Sequence, residues 1–141
     1  MESEVLAPAA VLVLWSIVVL FWMAFTRLPA ISKMGGLGKA KPGGRGQDLE
    51  GILPDSVNWK AHNYNHLMEQ PTLFYAVALT LAVAGQGEGL NATLAWGYFG
   101  LRVIHSLVQA TTNVIMLRWA VFMLASLVLL ALAVSAATTA F

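Results

Sequence analysis

Four apolar stretches, each close to the length that a lipid bilayer demands, take up nearly the whole chain. A membrane-spanning helix needs about 20 mostly apolar residues. Residues 5–26, 60–85, 90–116 and 118–138 each supply one, joined by a long loop at 27–59 and two short turns. Hydrophobic residues make up 58% of the chain and charged ones 11%, at a mean hydropathy of +0.70. No room is left for a soluble domain. The expected fold is all-α: one membrane-embedded four-helix bundle over residues 1–141.

The first stretch is not expected to be a cleaved signal. Glu2 and Glu4 stand where a signal carries basic residues, and the apolar run is too long. The chain has no cysteine, so disulfides, thiolate nucleophiles and iron–sulfur sites are excluded. Net charge is +1, which gives no sign of a nucleic-acid partner. Its distribution is more informative. Arg27, Lys33, Lys39, Lys41, Arg45 and Lys60 flank the 27–59 loop, and only Arg102 and Arg118 lie elsewhere. The excess of cations on cytoplasmic loops predicts that this loop is cytoplasmic, with the turn at Arg118 on the same side. Both termini and the Gly85–Gly89 turn then face the other side. Within the loop, the glycine-rich part from Lys33 to Gly46 is expected to be a solvated linker. A lid over a cytoplasmic-side pocket is the alternative, and its lysines could meet anionic lipid heads at ~1 kcal/mol each. Leu49, Ile52, Leu53, Val57 and Trp59 predict that the later part packs on the bundle.

Polar residues interrupt the apolar stretches in a pattern. Arg102, His105, Gln109 and Asn113 follow at spacings of three, four and four, which places them on one helical face. An arginine in hydrocarbon costs ~2.5–3.5 kcal/mol even on the lenient scale. His62, His66 and Glu69 share a second face and run into Pro71, which kinks a helix. Glu69 lies about two turns below Lys60 and needs a partner. A buried Glu69–Arg102 pair is expected, and a ligand-binding role for both stands beside it. His105, Gln109 and Asn113 read equally as ordinary interhelical hydrogen-bonding residues. The His62, His66, Glu69 spacing could bind a metal, with His105 as a fourth ligand, but the signal is weak beside the ion-pair reading and no metal is expected. Arg118 sits at the membrane boundary, either as a snorkelling anchor or as part of the site. Trp96, Tyr98 and Phe99 read as interface or packing residues without chemistry.

Two segments carry a resemblance. His62-Asn63-Tyr64-Asn65-His66-Leu67-Met68-Glu69-Gln70-Pro71-Thr72-Leu73-Phe74 resembles the polar-then-Glu-then-Pro segment of the MAPEG family, the membrane-associated proteins in eicosanoid and glutathione metabolism. Arg102-Val103-Ile104-His105-Ser106, continuing through Gln109 to Arg118, is similar to the branch of microsomal prostaglandin E synthase and glutathione transferase, in a bacterial-type member. The resemblance implies a homotrimeric bundle with glutathione bound between subunits near the cytoplasmic side. It implies that Arg118, at the end of the third helix, stabilises the glutathione thiolate. Glu69, Arg102 and His105 match further family positions, and His62, His66, Gln109 and Asn113 complete the expected cofactor site. His62, His66 and Gln109 stand where glutathione-using members carry arginine, asparagine and tyrosine. The function implied is a glutathione-dependent transferase or peroxidase acting on a lipophilic small-molecule electrophile that arrives through membrane lipid. The alternative is a non-catalytic MAPEG-fold membrane protein that binds no glutathione. The chemistry has its own warrant: a thiol with pKa ~8.5 is mostly protonated at neutral pH, and a fixed guanidinium favours its anion.

Overall fold

A computed structural model describes residues 3–141. Five helices follow in order: α1 Leu6–Lys33, α2 Asp55–Leu67, α3 Gln70–Val83, α4 Leu90–Ala110 and α5 Ile115–Ala140, with one 3-10 turn at Gly46–Leu49. Helices α2 and α3 together form the second rod of an all-α four-helix bundle. In the ring of four rods α1 packs on α4, α4 on α5, α5 on α3 and α3 on α1, while α2 fills the space between α1 and α4.

The break in the second rod follows from Pro71. Its ring would meet the carbonyl of Leu67, and it has no N–H to give. Helix α2 accordingly stops at Leu67, and Pro71 takes a place in the first turn of α3, where the missing donor is harmless. Glu69 caps α3 with a ψ of −97°, outside the helical region. The expected start at residue 60 moves back to Asp55. Pro54 breaks the preceding chain and Asp55 supplies an acid for the first turn. The expected third helix also shortens, from 116 to Ala110. Asn113 takes a φ of 49°, a left-handed conformation that asparagine tolerates. Its N–H bonds back to the Val108 carbonyl at 2.7 Å. Arg118 therefore belongs to the start of α5, not to the third helix.

The bundle is inverted relative to a soluble one. Leu14, Phe25, Leu73, Val83, Leu127 and Leu130 point outward, all more than half exposed. Arg102, Asn63, Ser106 and His105 are buried. Water would not tolerate so broad an apolar exterior, whereas lipid does. Taken singly, α1 and α5 are long and apolar enough to cross a membrane. The core beneath is made of Leu12, Val19, Leu81 and Leu132 around the stacked pair Phe74 and Tyr98, whose ring centres are 4.4 Å apart. Residues 34–45 of the loop are exposed as expected, while Leu53 and Asn58 anchor its later part.

Candidate functional site

Helix α4 turns its polar stripe inward. Arg102, His105 and Gln109 are 0%, 2% and 6% exposed. Arg102 Nη2 donates to Nδ1 of His66 at 2.8 Å and reaches the His66 carbonyl at 3.3 Å. Accepting at Nδ1 leaves the proton of a neutral His66 on Nε2. The His66 and His105 rings stack with centres 4.6 Å apart. Phe122 of α5 closes the group, edge-on to His66 at 5.3 Å and with the Arg102 guanidinium 5.9 Å from its ring centre. Arg118, Phe122 and Ser126 are four residues apart, so one face of α5 carries all three. Arg118 thus sits one turn above the ring cluster, and its Nη1 donates to Oδ1 of Asn113.

The expected Glu69–Arg102 contact does not form: Arg102 bonds His66, and Glu69 is exposed. The expectation rested on one unbroken helical stripe. The break at Met68 and Glu69 swings Glu69 off the face that carries His66. His62 also leaves the group, because its Nε2 pairs with Glu50 of the loop at 2.8 Å. His62 lines a cavity of about 400 Å³ with Arg27, Arg45, Glu50 and Asn65, none of which belongs to the Arg102 cluster. The His62, His66, Glu69 spacing therefore builds no ligand set, and among the described residues no three His, Cys, Asp or Glu side chains converge. Asn113 leaves the stripe for the turn, where it holds Arg118.

Several participants escaped the sequence reading. Asn63 Nδ2 donates to Ser106 Oγ at 2.8 Å. Gln70 donates to Ser126 Oγ at 2.8 Å and accepts from the Tyr98 hydroxyl at 3.1 Å. Tyr98 is thus an interior hydrogen-bonding residue as well as a packing one. Each of these pairs joins different helices, so no spacing within one segment reveals it. Tyr98 and Arg102 are four residues apart, a signal present in the chain that the aromatic-belt reading hid.

What the cluster lacks is as informative as what it contains. Arg102 Nε and Nη1, His105 Nδ1 and Gln109 Oε1 are buried with no hydrogen-bond partner. A buried unmet donor costs ~1–3 kcal/mol, more when charged. Arg102, His105 and Gln109 share one face of α4, so these unmet atoms lie along one buried stripe.

The MAPEG family model matches residues 5–138. The chain belongs to the MAPEG family. No curated protein and no solved structure matches it. The match runs through all five helices, so the polar interior belongs to a MAPEG bundle from end to end. With the inverted exterior, it makes the chain a membrane protein.

Proposed function

We propose that this MAPEG protein is an integral membrane glutathione-dependent transferase or peroxidase that acts on a lipophilic electrophile. The observation that carries the reading is the buried Arg102 guanidinium with Nε and Nη1 unpartnered beside His105 Nδ1 and Gln109 Oε1. Nε–H and Nη1–H point from different edges of the guanidinium and give two separate donors, and a tripeptide with two carboxylates and several amides suits the mixed set around them. When bound, glutathione supplies the sulfur nucleophile. Arg118 would hold the sulfur as its anion through its guanidinium. Only one of its five N–H donors is committed to Asn113. That bond orients the group. Phe122 and the His66–His105 stack exclude water beneath it, which strengthens the electrostatic effect.

The same proposal includes four membrane spans, the 27–59 loop on the cytoplasmic side, and a homotrimer. Charge distribution supports the sidedness. Exposed Glu69 supports the trimer, because a neighbouring subunit would give it a polar surrounding.

A second reading rests on a specific observation. His62, which replaces an arginine of glutathione-using relatives by resemblance, is tied to Glu50, and Glu69 faces outward. That arrangement favours a non-catalytic MAPEG membrane protein without glutathione. Titration calorimetry of purified protein with glutathione separates the two. Saturable binding that Arg102→Met abolishes supports the first, and no heat up to millimolar glutathione rejects it. Assays with an aryl halide and a lipid hydroperoxide then distinguish transferase from peroxidase.

A further inference from the structure

The loop between α1 and α2 is cationic, and its cations are free. From Lys33 to Ile52 it carries Lys33, Lys39, Lys41 and Arg45 against two acids, Asp48 and Glu50, and Glu50 pairs with His62. Asp48 is already engaged, since its Oδ2 accepts from the Arg45 backbone N–H at 2.8 Å. Among the described residues, no carboxylate lies within ion-pairing distance of any of the four cations. The loop does not splay away from the bundle. Arg27 donates to the Gly46 carbonyl, and Asn58 donates to the Leu49 and Leu53 carbonyls. These ties fold it into a cup of about 640 Å³, lined by Leu37, Lys39, Lys41, Arg45, Asp48 and Ile52 among others.

The cup mixes two chemistries that a soluble anion does not require together. Leu37 and Ile52 are 52% and 59% exposed at its wall, beside the ammonium groups. Its height also matters. If α1 enters hydrocarbon near Leu6, about 20 residues at 1.5 Å each bring it to the far boundary near Phe25. Arg27, and the Gly46 carbonyl tied to it, then lie among the lipid headgroups. Phe21, Phe25 and Leu28 are exposed at spacings of four and three, an apolar stripe that runs along α1 to within two turns of its end. A ligand with an anionic head and apolar tails matches cup, wall and stripe at once.

We infer that the Met34–Ile52 cup is a binding site for the headgroup of an anionic phospholipid, with Lys39, Lys41 and Arg45 around the phosphate and Leu37 and Ile52 against the first carbons of its chains. The site is separate from the Arg102 cluster and does not depend on thiol chemistry.

Native mass spectrometry of the detergent-purified full chain tests it. Phosphatidylglycerol and phosphatidylcholine of matched acyl chains are titrated separately, with inorganic phosphate added in a third arm. Phosphatidylglycerol adducts are expected at several-fold lower lipid concentration. Lys39→Gln, Lys41→Gln and Arg45→Gln each weaken that retention by roughly fivefold, whereas the combined Lys39→Arg and Lys41→Arg variant retains it. These residues are exposed, and melting temperature confirms that each variant is folded. Equal retention of the two lipids overturns the inference, as does a preference that survives all three neutralisations. Displacement of the lipid by millimolar inorganic phosphate would assign the cup to a soluble anion and overturn the lipid assignment.

Discussion

Arg102 has a neutral imidazole and a carbonyl for partners, not a carboxylate. The distinction reverses a stability argument. Removing one half of a buried ion pair strands the other charge and costs about 3–5 kcal/mol. Here no carboxylate is stranded, because Glu69 is exposed. Replacing Arg102 by methionine removes two unmet buried donors and loses the bonds to His66 Nδ1 and to the His66 carbonyl, each worth about 1.5–3 kcal/mol because the donor is charged. The two effects oppose each other. Arg102→Met is expected to melt within a few degrees of the wild-type temperature without glutathione, yet to lose any rise in melting temperature that glutathione gives wild type. A drop of many degrees in the unliganded variant would mean that Arg102 is structural. Arg118 follows a different argument. It is half-buried at the start of α5 and its one bond is to the turn residue Asn113. Arg118→Ala should therefore leave folding nearly intact and lower turnover by ~10²–10³, the usual loss for one preorganised electrostatic donor. Arg118→Lys should recover part of it, since lysine lacks the planar fork. Full activity in the alanine variant, in an assay where wild type turns over, would make Arg118 a membrane anchor only.

Helices depend here on how their ends are tied. The backbone N–H of Val5 donates to the Gly87 carbonyl at 2.8 Å, which fastens the start of α1 to the α3–α4 turn. A Cβ at Gly87 would stand 1.8 Å from Ser3 Oγ and 2.8 Å from Val5 Cγ1. Gly87→Ala should thus cost about 1–3 kcal/mol, as overpacking does. Gly85→Ala meets no neighbour within 4 Å and is strained only by its positive φ of 70°, so both variants are destabilised by different causes. Limited proteolysis separates them: only Gly87→Ala should release the α1 start to early cleavage, and equal cleavage of the two would discard the clash. The four rods and the inward stripe Arg102, His105, Gln109 were legible because apolar length and helical spacing are properties of a single segment. The ends of that stripe were not. Asn113 left it because α4 stops at Ala110, and helix stops depend on a φ that asparagine permits but does not impose. Glu69 left its stripe because a proline two residues later converts a kink into a break. Tyr98, Gln70 and Ser126 meet only after three helices pack, and nothing local to each segment encodes that meeting.

The whole bundle leaves one charge in the wrong solvent. Glu69 is exposed, and nine residues of nearly helical rise separate it from Lys60, about 13 Å at 1.5 Å per residue. If Lys60 marks the headgroup boundary, Glu69 lies close to the middle of the hydrocarbon. An acid there costs about 2.5–3.5 kcal/mol on the translocon scale, and Asn65 of the same rod is exposed as well. A monomer in lipid gains by losing this residue. A trimer whose subunits meet along α2 and α3 instead shelters it, with a polar group of the neighbour as its partner. The two states predict opposite signs for one substitution. In an assembled protein, Glu69→Leu should weaken association and shift cross-linked species from three copies toward one. In a protein that is monomeric, the same substitution should raise thermal stability in detergent and leave the mass unchanged. Glu69→Gln discriminates further, since it keeps hydrogen-bonding capacity without charge and should retain more trimer than leucine does. Cross-linking in native membranes followed by mass measurement reads all three proteins together. A wild-type chain that stays monomeric, combined with a stabilised leucine variant, would reject the homotrimer and with it the idea that glutathione is held between subunits.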